Sequence, residues 1–243
     1  MTYCVGMRLN SGLVFMSDTR TNAGVDNFSS ARKMFTWTIP GERAITLMTA
    51  GNLATTQAVV ALLDERSKAA EDRDPSILRQ STMFQVARLV GTTLKEVISY
   101  SSPTGQTADD RFSASVIVGG QIKGGQPTIF LVYPAGNFIE ITEDSPFFKI
   151  GETKYGKPIL VRAYDPGMRF SEAVRLLMVS FDSTIKSNLS VGLPLDLHIY
   201  ENDSFHTDRQ QRIEEGDEAY TKTTAAWSNA LKSALEQLDT FDF

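Results

Sequence analysis

Residues 1–20 read MTYCVGMRLNSGLVFMSDTR, and the rest of the chain is organised around them. Residues 2–9 have the character of a strand, Asn10-Ser11-Gly12 is a turn, and residues 13–17 form a short apolar return strand. An apolar hairpin at the very start of a chain is unusual, because termini are generally frayed and solvated. Thr2 follows an initiator Met, and removal of a methionine before so small a residue is expected. Thr2 then carries a nucleophilic hydroxyl and a free α-amine on one residue. That pair can carry out acyl transfer without a histidine.

A threonine hydroxyl is a poor nucleophile unless a base takes its proton in the transition state. An α-amine, titrating near ~8, can take that proton directly or through a water. Asp18 ends the second strand, and the hairpin brings it back beside the start of the first. Lys33 opens a third strand, where a carboxylate can hold it. Gly51 follows a fourth strand at a helix entry, offering backbone N–H groups to an oxyanion. Four strand ends thus converge on one point.

Downstream, polar residues 19–30 read as a loop. Lys33–Ile39 alternates, Pro40-Gly41 turns and Arg43–Ala50 returns, so the first fifty residues make four short antiparallel strands. Gly51-Asn52 introduces a helix with Thr55, Ala58, Val59 and Leu62 at helical spacing, ending in the charged stretch 64–74. A second amphipathic helix carries Phe84, Ala87, Val90, Leu94, Val97 and Ile98 as far as about Tyr100. Residues 101–111 are polar and rich in turn formers, and strands resume at 112–122, 128–133 and 138–142. Residues 152–164 are ambiguous, because Pro158 interrupts a weak helical pattern. A helix over 170–188, a strand over 195–201 and an acidic run at 214–218 lead to a last helix with Ala225, Leu231, Leu235 and Leu238. Segregated antiparallel strands and paired helices indicate an α+β layered fold, two sheets face to face with helices outside, and not a parallel βαβ sheet. No repeat or low-complexity linker divides residues 1–243, so one domain is expected.

Apolar residues make up 42% and charged residues 22% of the 243, values ordinary for a globular protein with a substantial core. Net charge is −5, and the basic residues are scattered with no stripe, so a nucleic-acid ligand is not expected. Cys4 is the only cysteine, which excludes an intramolecular disulfide and a cysteine-rich zinc site. It reads as a small buried strand residue. His198 lies in an apolar strand and His206 in a polar loop, with no metal-ligand spacing between them, and no cofactor is indicated. There is no secretory signal and no apolar run of membrane-spanning length, so a cytoplasmic protein without membrane contact is expected.

The runs Thr2-Tyr-Cys-Val-Gly, Ser17-Asp18-Thr19-Arg20, Ala31-Arg32-Lys33 and Thr49-Ala50-Gly51-Asn52 resemble the N-terminal signature of proteasome β-type subunits, which are N-terminal nucleophile hydrolases. Similarity to Anbu, the bacterial proteasome-related family, is almost continuous through Ser-Asp-Thr-Arg-Thr-Asn-Ala-Gly-Val-Asp and Arg-Lys-Met, and returns at Ser187-Asn-Leu-Ser-Val-Gly-Leu-Pro-Leu-Asp-Leu. The resemblance covers most of the chain and is weaker in the middle. It implies a four-layer αββα sandwich and a threonine-type peptidase that assembles with copies of itself into a ring or an open spiral. It implies Thr2 as nucleophile, Asp18 orienting Lys33, Lys33 easing deprotonation of Thr2, and Gly51 donating to the oxyanion. Arg20, Thr21 and Asn22 would flank a peptide substrate bound as an added strand, with Thr49 and Leu53 walling the specificity pocket. A distal Asp-x-x-Ser that supports the threonine amine in the family has its nearest match at Asp182 and Ser183, and Ser187 or Ser190 fit that role equally. The spacing from Asp18 to Lys33 is one residue shorter than in typical proteasome subunits.

Two rival readings stand beside the peptidase. One is a catalytically silent assembly subunit, against which the intact set Thr2, Asp18, Lys33 and Gly51 counts. The other is an N-terminal nucleophile amidohydrolase acting on a small amide or peptide-like metabolite.

Overall fold

The computed structural model describes residues 1–22, 28–68, 75–101 and 110–240. Strands β1 (Tyr3–Leu9) and β2 (Gly12–Asp18) form the N-terminal hairpin, with Cys4 opposite Ser17 and Leu9 opposite Gly12. Every residue of β2 is buried, as is all of β1 but the half-buried Arg8. A strand covered on both faces reads as a near-continuous apolar run, which is why this stretch stands out in the sequence.

The hairpin is the centre of the first sheet. β10 (Phe147–Gly151) pairs with β1, β11 (Leu195–Glu201) pairs with β2, and β12 (Gln210–Ile213) completes the order β10-β1-β2-β11-β12. The second sheet is a meander of β5 (Met34–Ile39), β6 (Arg43–Gly51), β7 (Ala114–Ile122), β8 (Thr128–Val132) and β9 (Phe138–Glu140). All of these pairings are antiparallel.

Alternation along the strands makes the layers. Cys4, Leu13 and Phe15 of the first sheet meet Met34, Ala44, Met48 and Ile117 of the second between the sheets. Ile45, Leu47, Val116 and Val118 face away, onto α1 (Leu53–Lys68) and α2 (Met83–Ser101). Tyr3, Val5, Val14 and Met16 face the other way, onto α3 (Lys157–Ala163) and α4 (Phe170–Ser187), with Tyr220 of α5 (Glu218–Glu236) at the margin. The result is helix, sheet, sheet, helix, the α+β sandwich expected from the segregated pattern.

The structure departs from the sequence-based expectation at several elements. Residues 19–30, expected as a loop, contain a small hairpin of β3 (Arg20–Asn22) and β4 (Phe28–Ser30). Pro158, which reads as an interruption, lies in the first turn of α3, where its missing N–H costs no helical bond. β10 and β12 have no counterpart in the sequence-based assignment. Phe84, expected on the apolar face of α2, is 52% exposed and meets Phe130 and Phe138 edge-on. The stretches 69–74 and 102–109, within the expected charged and turn-rich segments, lie outside the described residues.

Candidate active site

Four chain segments end at one place because the two sheets stack with their strand ends in line. The start of β1, the β3 hairpin, the entry to β5 and the end of β6 open onto a cleft of about 350 Å³. Its walls include Thr2, Thr21, Lys33, Thr49, Gly51 and Leu53.

Lys33 is 5% exposed, and the Asp18 behind it is fully buried. Lys33 Nζ donates to Asp18 Oδ1 at 2.7 Å and to the Arg20 carbonyl at 2.6 Å. Two of its three donors are thereby used and its position is fixed. The same Asp18 oxygen accepts the Tyr3 amide at 2.9 Å, so one carboxylate ties the residue after Thr2 to the lysine. Burial pushes the Asp18 carboxyl above its ordinary value, with Lys33 pulling against that shift. The chain's terminal ammonium, on Met1, lies in the same field: burial lowers its pKa first, Lys33 lowers it further, and Asp18 opposes. A cationic lysine beside the terminus thus favours a neutral amine, the form able to accept a proton.

Gly51 has φ +124, and a Cβ there would lie 2.4 Å from the Ser113 carbonyl oxygen, so only glycine fits. Next to it Asn52 starts α1, its Oδ1 accepting the Thr55 amide at 3.0 Å. Helix α1 therefore points its N-terminus toward the cleft.

Of the remaining expected residues, Arg20 supplies its carbonyl to Lys33 while its guanidinium reaches away to the Leu189 carbonyl at 3.1 Å. Asn22 follows in β3, and its side chain lies outside the described residues. Asp182 and Ser183 are not brought to the cleft. Asp182 pairs with Lys186 at 2.8 Å one helical turn along α4, and Ser183 Oγ donates to the Val179 carbonyl at 3.0 Å. Ser187 Oγ likewise donates back along the helix, to the Ser183 carbonyl at 2.8 Å.

The residues that do reach the terminus from the far end of the chain are Glu152 and Asn188. Glu152 N–H donates to the Thr2 carbonyl at 2.6 Å. Its carboxylate accepts the Thr153 and Lys154 amides and, at 3.1 Å, Asn188 Nδ2. Burial would raise this carboxyl, but the Lys154 amide, Asn188 and the Thr153 amide outweigh burial and hold it below its usual range. Asn188 Nδ2 also lies 3.2 Å from Met1 Sδ. Neither residue stands out in the sequence. The available signals were a glycine ending an alternating segment just before Glu152, and an asparagine just past the end of a helix. Ala50 and Thr56 are further cleft residues that sequence reasoning missed.

Cys4 is fully buried and its thiol is pushed well up, so it is no second nucleophile. A larger cleft of about 630 Å³, lined by Ile139, Phe147, Lys149 and Val161 among others, shares no residue with the one at Thr2. Among the described residues no group of three His, Cys, Asp or Glu is placed to hold a metal ion, and no helix is long and apolar enough to cross a membrane.

Residues 2–193 match the family model described as "Proteasome subunit". The chain belongs to the proteasome subunit family. Within it, the solved structures it is similar to include Anbu proteins. Anbu (ancestral beta-subunit) from Yersinia bercovieri is 45% identical over 100% of both chains, with TM-score 0.93. Anbu from Hyphomicrobium sp. strain MC1 is 48% identical over 100% of both, with TM-score 0.91. The structure titled "Helical Assembly of the Anbu Complex from Pseudomonas aeruginosa" is 45% identical over 99% of this chain and 98% of that one, with TM-score 0.92. No curated protein matches the chain. Membership of this family makes the chain an N-terminal nucleophile hydrolase-type subunit of proteasome fold.

Proposed function

We propose that this Anbu-type chain is a threonine peptidase, with Thr2 as nucleophile once Met1 is removed. The observation that carries the proposal is the buried Asp18–Lys33 pair at the head of the Thr2 strand. A buried ion pair is not an economical way to stabilise a fold, since well-packed apolar residues often do as well. Placed beside a terminal amine, it has a chemical use: Lys33 favours the neutral amine and stabilises charge that develops as the hydroxyl loses its proton.

The steps follow from the chain's own groups. The Thr2 amine takes the hydroxyl proton, Oγ attacks the substrate carbonyl, and the oxyanion is stabilised at Gly51 beside the N-terminus of α1. The amine then returns the proton to the leaving nitrogen, and water hydrolyses the ester on Thr2. A peptide is the favoured substrate because β3 borders the cleft, where an extended chain can be held by backbone bonds. Thr21, Thr49 and Leu53 would then contact its side chains. The chain is also proposed to assemble with copies of itself. The helical assembly of its Pseudomonas relative and the bare apolar stripe of α5 support this.

The test is an electrophile that reacts with N-terminal threonine, followed by peptide mapping and peptidase assays. Mature protein is expected to be labelled at Thr2 and to cleave peptides, and Thr2→Ala to do neither. Trimmed, unlabelled and inactive wild-type protein would establish the silent-subunit alternative instead.

A further inference from the structure

The second cleft, of about 630 Å³, takes no part in the chemistry proposed at Thr2. It runs along β10, the strand that ends the first sheet. The Arg8 amide donates to the Pro146 carbonyl and the Glu152 amide to the Thr2 carbonyl, which fixes the parity of the β1–β10 ladder. Phe148 and Ile150 therefore bond to β1, and the backbone groups of Phe147 and Lys149 point away from it. Among the described residues no strand takes them up. Such an edge is a template for a further strand unless something covers it.

The side chains around this edge are apolar and cationic. Ile139 of β9 and Val161 of α3 line the cleft and are 45% and 60% exposed. Lys149 and Lys157 line it too, and among the described residues neither forms an ion pair. Burial lowers the Lys149 pKa, Lys157 lowers it further, and Glu152 opposes both. Glu143 and Asp144, in the turn before β10, place negative charge at the start of the strand instead.

The chain carries a segment of complementary character. Residues 229–240 are all exposed, so the end of α5 is carried off its own sandwich. After the helix come Leu238, Asp239, Thr240, Phe241, Asp242 and Phe243, of which 241–243 lie outside the described residues. In an extended strand alternate residues share a face, which puts Phe241 and Phe243 on one side and Asp242 on the other. The surroundings of β10 divide in the same way. Phe148 and Ile150 face the space between the sheets. Phe147 packs toward α3, beside Tyr164, and Lys149 shares its face.

We propose that residues 238–243 of one copy add as a strand to the β10 edge of the next, with Asp242 beside Lys149 and Lys157 and the two phenylalanines against Ile139 and Phe148. Backbone bonds hold such a strand, and the lysine pair and the apolar wall select it. The two copies use different surfaces, and a contact of that kind that does not close on itself repeats into a helical filament. The inference rests on the proposed self-assembly and not on the peptidase activity.

The test is charge reversal in the full chain, followed by sedimentation velocity. Asp242→Lys changes none of the described contacts of the sandwich. Lys149→Glu with Lys157→Glu changes the cleft, with melting points as the control for folding. Each is expected to weaken association at least about tenfold, because like charges then face each other. The triple variant restores opposite charges and is expected to associate within about threefold of wild type. A second readout uses Phe241→Cys chains mixed with Ile139→Cys chains. On oxidation they are expected to link to one another, and Asp242→Lys in the first chain to abolish the link. Assembly that ignores the charge reversals, or a mixture that forms no link, would overturn the proposal and leave self-assembly standing through another surface. A wild type that stays monomeric at every concentration would sink self-assembly and this contact with it.

Discussion

At the scale of single residues, two buried ionisable groups make opposite demands on the fold. Asp18 needs Lys33. In Lys33→Met the carboxylate keeps its burial and loses its counter-charge, which typically costs about 3–5 kcal/mol. Because burial already raises the Asp18 carboxyl and the variant removes the charge that pulls it down, its folded pKa climbs further. A raised carboxyl contributes stability that is present at low pH and lost as pH rises through the folded value. The penalty of Lys33→Met is thus expected to be largest near neutral pH and to shrink toward acid, as urea melts of variant and wild type across pH will show. His198 behaves differently. It lies between the sheets with Nδ1 2.7 Å from Thr46 Oγ1 and its ring stacked on Phe15, and burial lowers its pKa to about 4. The unfolded chain takes up this proton below about 6.5 and the folded chain only below about 4, so stability falls as pH drops through that interval. The loss approaches about 3 kcal/mol. It is expected to be absent from His198→Leu, so the stability difference between wild type and variant shifts by that amount between pH 7 and 4.5, as denaturant unfolding at the two pH values will show.

At the scale of elements, the cleft depends on glycines that let backbones touch. Gly151 ends β10 with φ +83 against the Thr2 carbonyl, whereas Gly216 has φ +85 and nothing within 4 Å of a Cβ. Gly216→Ala tests the backbone conformation alone; Gly151→Ala adds a clash with the Thr2 carbonyl. The first is expected to cost about 1 kcal/mol, and the second clearly more, with loss of labelling at Thr2. Equal melting points for the two would show that the close approach does not matter. This contrast also marks what the sequence made legible. β1 and β2 were readable because burial on both faces leaves a continuous apolar run, and Thr2, Lys33, Thr49, Gly51 and Leu53 do line one cleft. β10 and β12 were not, because edge strands are short and only partly buried, so their composition carries little periodicity. Glu152 and Asn188 escaped for a related reason: they meet Thr2 and Met1 across some 150 residues or more, and no local pattern encodes such a contact. Asp182 and Ser183 were the nearest match to the family's Asp-x-x-Ser, and α4 directs one to Lys186 and the other to its own helix.

At the scale of the whole molecule, α5 is the element that the chain alone does not complete. Its first half packs on the sandwich, with Tyr220 7% exposed and Lys186 reaching Ser228. Beyond that the helix leaves the body, and residues 229–240 are all exposed. Leu231 and Leu235 lie one turn apart on one face of α5, Leu238 follows just past the helix end, and the three are 50%, 70% and 67% exposed. Two helical turns standing in water with a leucine stripe are marginal by themselves, since short helices owe their stability to packing of an apolar face. Another copy of the chain is the cover that agrees with the proposed self-assembly. Replacing all three leucines by serine removes the stripe while touching nothing in the sandwich, so the monomer is expected to melt within about 0.5 kcal/mol per site of wild type. Sedimentation velocity is expected to show the large species replaced by smaller ones. If the triple variant sediments as wild type does, the copies meet through some other surface and the bare end of α5 serves a different partner.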